Sequence, residues 1–135
     1  MNDEAREELT LVAATPDDLD AVMALETASF PSDAWSREMM AAELASEYNR
    51  YFVALLDGKF VGYGGVRAPK GAREADVQTI AVDASARGRG LGRKLMDLLL
   101  SHARESRMRE VFLEVRADND VARALYDSLG FEALG

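Results

Sequence analysis

The sequence predicts an α/β fold, with one mixed, mostly antiparallel sheet and helices on both faces. Three observations predict it. Short runs of β-formers alternate with helical patterns along the 135 residues. Two of those runs flank Asp57-Gly58, a pair suited to a type I′ hairpin. A third run passes through a basic glycine loop into an amphipathic helix and then a further strand, which is the pattern of a parallel crossover. A chain of this length holds one real core and is too short for two ordinary domains, so residues 1–135 are read as a single domain.

Each element has its own signal. Leu9-Thr10-Leu11-Val12-Ala13 reads as the first strand. Thr15-Pro16-Asp17-Asp18 starts a helix, with Thr15 as N-cap and Pro16 at the first helical position. That helix is expected to reach about residue 28, with Leu19, Val22, Met23 and Leu25 facing a core. Phe30-Pro31-Ser32-Asp33-Ala34-Trp35 breaks the pattern, and Ser36 caps a second helix to about residue 46. Residues 51–56 and 59–66 are the hairpin strands, and a loop containing Pro69 and Gly71 leads to a strand at 75–82. The helix after the glycine loop carries the apolar stripe Leu91, Leu95, Leu98 and Leu99. A strand at 111–116 and a helix from about 119 to 129 complete the order, with Gly130 where a helix C-terminal glycine belongs. His102 extends the stripe at the end away from the glycine loop and is read as structural; Met39, Met40 and Met96 are read as packing residues.

Composition narrows the chemistry. Apolar residues at 48% and charged residues at 30% are globular values, and no stretch approaches the apolar length of a membrane span. The first residues are acidic and polar, so neither a secretion signal nor a membrane anchor is expected, and a cytoplasmic location is. With no cysteine and a single histidine, disulfides, thiolate chemistry and a metal site are not expected. The net charge of −8 argues against nucleic acid as a partner. Yet Arg87, Arg89, Arg93 and Lys94 are clustered in the glycine loop, while the acidic remainder suits a cationic partner such as an amine or a basic peptide.

That loop, Arg87-Gly88-Arg89-Gly90-Leu91-Gly92-Arg93, would aim backbone N–H groups and a helix N-terminus at one point, which makes a seat for a phosphate or pyrophosphate. A solvated turn is the plain alternative. A Walker loop is disfavoured, because Arg93 stands where Gly-Lys-Ser/Thr should begin and Leu95 follows Lys94. The dinucleotide fingerprint fits poorly too: the loop reads Gly-x-Gly-x-Gly and begins only after residues 83–87. What fits is Arg/Gln-x-x-Gly-x-Gly/Ala, with Arg87, Gly90 and Gly92 in register. This resembles the pyrophosphate loop of the GCN5-related N-acetyltransferase (GNAT) superfamily.

Downstream, Glu114 lies in the run Val111-Phe112-Leu113-Glu114-Val115-Arg116, which reads as a central strand. On strand alternation it shares a face with Phe112 and Arg116, where a carboxylate is either paired or set at a cleft. An ion pair with Arg116 and a general base are both open readings. Tyr126 follows Asn119 by two helical turns; alone, it reads as a core aromatic and Asn119 as a helix cap.

Taken together, Thr79-Ile80-Ala81-Val82, the glycine loop, Leu113-Glu114-Val115-Arg116 with Asn119, and Ala124-Leu125-Tyr126-Asp127-Ser128-Leu129-Gly130-Phe131 are similar to the RimI-type ribosomal-protein alanine N-acetyltransferases. The resemblance implies the GNAT fold, acetyl-CoA as cosubstrate and a protein N-terminus as acceptor, with the alanine of ribosomal protein bS18 inferred. It implies Glu114 as proton acceptor, Tyr126 as proton donor and Asn119 as a cofactor contact. Backbone groups of Ile80, Ala81 and Val82 would meet the pantetheine and thioester. Arg87, Gly88, Arg89, Gly90, Leu91, Gly92 and Arg93 would hold the pyrophosphate. Phe30-Pro31 to Trp35-Ser36 resembles the family's acceptor-side loop, with two extra residues between Pro31 and Trp35.

The chemistry agrees with those roles. An amine attacks a thioester only when neutral, and an α-amino group has a pKa of about 7.7–8.0 against about 10.4 for lysine, so one carboxylate acting through a water suffices. The departing thiolate, with a pKa near ~8.5, takes a proton from a nearby tyrosine. A backbone N–H near Val82 would stabilise the oxyanion by about 3 kcal/mol. Proteins of this fold usually continue through further strands after Phe131. An uncovered sheet edge is therefore expected here, from a chain cut short, strand exchange between chains, or a partner filling the gap. Two other readings stand beside the first: the same cosubstrate with a lysine, antibiotic or small-amine acceptor, and a catalytically silent acyl-CoA-binding or scaffold module.

Overall fold

In the computed structural model, which describes residues 8–115 and 119–134, β1 (Leu9–Ala13) pairs antiparallel with β2 (Asn49–Leu56). β2 pairs antiparallel with β3 (Lys59–Arg67), and β3 with β4 (Glu74–Val82). β5 (Glu110–Phe112) lies parallel to β4, so the order across the sheet is the order along the chain. Asp57 and Gly58 both take positive φ, 53° and 82°, as the type I′ turn between β2 and β3 demands.

The helices begin where side chains cap them. Thr15 and Asp18 form a reciprocal capping box: Thr15 Oγ1 accepts from the Asp17 N–H at 3.2 Å, and the Thr15 N–H donates to Asp18 Oδ2 at 2.8 Å. The first turn, Pro16–Asp18, is a 3₁₀ turn, and α1 continues over Leu19–Ser29. Ser36 Oγ accepts from the Met39 N–H at 3.1 Å and opens α2 (Arg37–Ala45).

Strand alternation separates the two faces of the sheet. Tyr51 and Val53 pack under Val22 of α1 and Met40 of α2, together with Tyr63 and Ala81. Ala54 and Val61 pack with Leu91 and Leu95 of α3 (Leu91–Glu105), and Val66 and Ala75 with its Met96, Leu99 and Ala103. α4 (Asp120–Ser128) joins that second cluster through Tyr126. His102 is half-buried on α3; burial, and then the charge of Arg50, push its pKa below the ordinary imidazole value, so it is neutral at pH 7. Met40 and Met96 are fully buried, but Met39 is 53% exposed and does not pack: it sits in the first turn of α2, beside the buried face rather than on it.

Gly65 shows how tightly the first face is filled. It lies opposite Tyr51, and a Cβ built on it would sit 2.2 Å from the Tyr51 ring. Gly65→Ala is therefore expected to cost about 1–3 kcal/mol by overpacking, read as a lower urea midpoint. An unchanged midpoint would show that the ring moves aside freely.

The last strand departs from expectation. It ends at Phe112 rather than continuing to residue 116, and it pairs only through Glu74–Glu110, Ala75–Val111 and Asp76–Phe112. It is also an edge strand, not a central one. Among the described residues no strand lies on its outer side and β4 alone pairs with it, so the ladder ends where the two strands diverge. Leu113, Glu114 and Val115 follow in irregular backbone. Arg116, the ion-pair partner considered for Glu114, lies outside the described residues.

Candidate active site

Where β4 and β5 part, a cleft of about 520 Å³ opens. One wall is the stretch of β4 from Val77 to Ile80, and the other is Leu113, Glu114 and Val115 with Asn119, Ala122 and Tyr126 of α4. Glu26, Ser29, Phe30, Asp33 and Trp35, from the end of α1 and the loop after it, close the third side. The structure thus brings Glu114, Tyr126, Asn119 and Ile80 to one cavity. Beyond Asp76, no described strand pairs with β4 on the cleft side, which leaves backbone groups of that strand open to an extended ligand.

The end of α4 explains the placement of Tyr126. The Phe131 N–H donates to the Tyr126 carbonyl at 3.0 Å and the Gly130 N–H to the Asp127 carbonyl at 3.0 Å, with Gly130 at φ 93°: a Schellman motif. The apolar contact that accompanies such a motif is an edge-to-face pair of the Tyr126 and Phe131 rings, with centroids 6.1 Å apart. Tyr126 is 9% exposed, and burial raises its phenol pKa above the ordinary value of 10.0, so the hydroxyl keeps its proton throughout the neutral range. Glu114 is exposed to solvent at the cleft wall. Asn119 does act as a helix cap, its Oδ1 accepting from the Ala122 N–H at 3.1 Å. Its amide nitrogen is the group left for a ligand.

The glycine loop does not line this cleft but follows directly from the same strand. Asp83 turns the chain after Val82, accepting from the Ser85 N–H at 2.9 Å and the Ser85 hydroxyl at 2.7 Å; those bonds lower its pKa. Gly88 and Gly90 then take φ of 84° and 71°, a left-handed backbone that a side chain would strain. Gly90 is the N-cap of α3 and offers no side-chain cap, so the first-turn N–H groups of α3 have none. A Cβ on Gly88 or Gly90 would meet nothing within 4 Å. Open space, uncapped donors and the exposed Arg87 fit an anionic pyrophosphate. The other members contribute unequally. Leu91 is 3% exposed and Ala81 7%, both side chains in the core, so neither side chain is offered to a ligand. Arg89 Nη1 donates to the Ser85 carbonyl at 3.2 Å, and Arg93 donates to the Ser128 hydroxyl, joining the start of α3 to the end of α4.

Sequence reasoning missed Glu26. It is 1% exposed and accepts hydrogen bonds from Tyr63, Thr79 and Trp35 at the floor of the cleft. The signal was present: Glu26 continues the helical spacing of Leu19, Val22 and Met23, which puts a carboxylate on a core-facing stripe. A second carboxylate network stands nearby, in which Glu43 Oε1 accepts from the Tyr51 hydroxyl at 2.6 Å and from Gln78 Nε2 at 3.2 Å. Among the described residues, no three His, Cys, Asp or Glu side chains gather as a metal site would require, and no helix is long and apolar enough to cross a membrane.

Comparison with known proteins identifies the family and the fold. The N-alpha-acetyltransferase RimI of Mycobacterium tuberculosis is 42% identical over 134 residues, covering 96% of this chain and 82% of that protein. An uncharacterised Mycobacterium leprae protein is 40% identical over 134 residues, 96% of this chain, but the chain spans only 36% of that relative's length. The crystal structure of the ribosomal-protein-S18-alanine N-acetyltransferase from Escherichia coli matches with a TM-score of 0.83 at 29% identity, covering 95% of this chain and 80% of that one. The sheet and helix order is that of the GNAT fold. Matched by the family's sequence pattern over residues 19–131, from the first residue of α1 to the ring that packs on Tyr126, the chain belongs to the Acetyltransferase (GNAT) family.

Proposed function

We propose that this chain, acting as one domain in the cytoplasm, is an acetyl-CoA-dependent N-terminal α-acetyltransferase whose acceptor is an N-terminal alanine, inferred to be that of ribosomal protein bS18. The observation that carries this reading is the cleft itself: the parting of β4 from β5 sets Glu114 and the protonated Tyr126 beside an open strand that leads into an anion-fitting loop. The printed names of the M. tuberculosis and E. coli relatives support the choice of acceptor.

In this reading the cosubstrate supplies an acyl group activated as a thioester. Residues Arg87 to Arg93 hold its pyrophosphate through backbone N–H groups, and Ile80, Ala81 and Val82 align its pantetheine along the open side of β4. Glu114 takes the proton that the acceptor nitrogen loses as the N–C bond forms. Tyr126 Oη gives its proton to the sulfur as the C–S bond breaks. Asn119 contributes its amide nitrogen beside the cosubstrate. The carboxylates of Asp33 and Glu114 line the cleft and suit an acceptor that arrives as an ammonium.

Incubation with acetyl-CoA and a peptide that starts with alanine and contains an internal lysine, followed by fragment mass spectrometry, is expected to place the acetyl group on the α-nitrogen. Acetylation of lysine or free polyamines with none on the N-terminal alanine would overturn the acceptor assignment. Bound acetyl-CoA with no thiol release toward any amine would point instead to a silent acyl-CoA-binding module.

A further inference from the structure

Glu26 lies buried beside the cleft and is neither the proton donor nor the proton acceptor of the reading above. Its carboxylate gathers donors from three separate segments: the Tyr63 hydroxyl on β3, Thr79 Oγ1 on β4 at 2.9 Å, and the Trp35 N–H in the loop between α1 and α2 at 3.0 Å. Tyr63 and Thr79 are themselves 3.4 Å apart through their hydroxyls, so the three groups form one buried knot. A carboxylate at 1% exposure persists only when its oxygens are satisfied, and here both are. The knot sits where two walls of the cleft meet. Thr79 immediately precedes Ile80 on the strand wall, and Phe30, Asp33 and Trp35 belong to the third side. Residues 30–36 have no helix or strand of their own, so the bond from Glu26 to Trp35 ties the far end of that loop to the sheet.

We propose that Glu26 is a positioning residue: it locks the loop from Phe30 to Trp35 against β3 and β4, so that the acceptor meets a preformed wall and binds without having to order it. A preformed surface spares binding the entropy of ordering, so the lock acts on acceptor affinity rather than on the acyl-donor site. The acceptor part of this inference rests on the reading of the cleft given above; the lock does not.

Trp35 is the chain's single tryptophan, so its fluorescence reports the loop directly. Glu26→Gln keeps the size of the side chain but turns an NH₂ group toward hydroxyl and N–H donors. In that variant, acrylamide quenching of Trp35 is expected to rise about twofold or more. The acceptor KM is expected to rise about fivefold or more while acetyl-CoA affinity stays within about twofold of wild type. Tyr63→Phe removes one donor from a residue that does not line the cleft, and is expected to shift the same quantities in the same direction by less. It carries the test should Glu26→Gln fail to give a cooperative melt. Unchanged Trp35 quenching in a folded variant overturns the lock, whatever the wild type does with any peptide. Raised quenching with an unchanged acceptor KM, or a fall in kcat alone, overturns the link to acceptor affinity. Raised quenching in a protein whose wild type acetylates no amine supports the lock and removes the acetyltransferase reading instead.

Discussion

Glu114→Gln is expected to lower kcat at pH 7 by about 10²–10⁴-fold, the usual contribution of a positioned proton acceptor. Glutamine keeps the length and shape of the side chain at the cleft wall, so the fold and the acetyl-CoA KM are expected to hold, the glycine loop being separate from this cleft. The pH dependence gives the sharper test. Below the acceptor's α-amino pKa of about 7.7–8.0 the nucleophile is mostly an ammonium and needs its proton removed; above it, the amine is neutral without help. The gap between wild type and variant is therefore expected to narrow as the pH rises from 7 to 9, measured by thiol release with an alanine-starting peptide. A gap that stays constant, or thiol release that never falls, would take Glu114 out of the proposed role.

Tyr126→Phe carries the second large effect, a fall in kcat of about 10²–10³-fold from loss of the proton for the departing sulfur. Phenylalanine preserves the ring that packs edge-on against Phe131 and completes the cluster with Met96 and Leu99, so the melting temperature is expected to stay close to wild type. The two outcomes separate chemistry from packing: wild-type turnover in a stable variant would return Tyr126 to the core-aromatic reading. Burial raises the phenol pKa above 10.0, so the hydroxyl carries its proton at every pH below that value. No alkaline loss of kcat from this group is expected up to about pH 10, and a wild-type decline near pH 8 would assign the proton donation to some other group.

Much of the site was legible because its signals are local. The caps at Ser36 and Thr15 and the Asp57-Gly58 hairpin each depend on atoms a few residues apart, and each appears where the sequence places it. The same holds for the run from Ala124 to Phe131, whose glycine and final ring close α4 and set Tyr126 in place. Glu26 was less legible: a carboxylate on an apolar stripe is a strong hint of burial, but its partners come from β3, β4 and the loop ahead of α2, none of which can be paired with it from spacing alone. The run at 111–116 misled for the opposite reason. Its β-forming residues suggest a long strand, yet a strand lasts only while a neighbour supplies its hydrogen bonds, and β4 supplies them for three residues.

Propensity, capping and spacing therefore decided which elements form and where the anion-fitting loop lies, since these are short-range interactions written within a turn, a hairpin or a motif. Tertiary structure alone decided that β4 and β5 part after Asp76, that Glu114 leaves the sheet at an edge to line the same cleft as Tyr126, and that Glu26 knots three segments beneath it. Those features arise from pairings between residues far apart in the chain. No local preference specifies where such pairings stop.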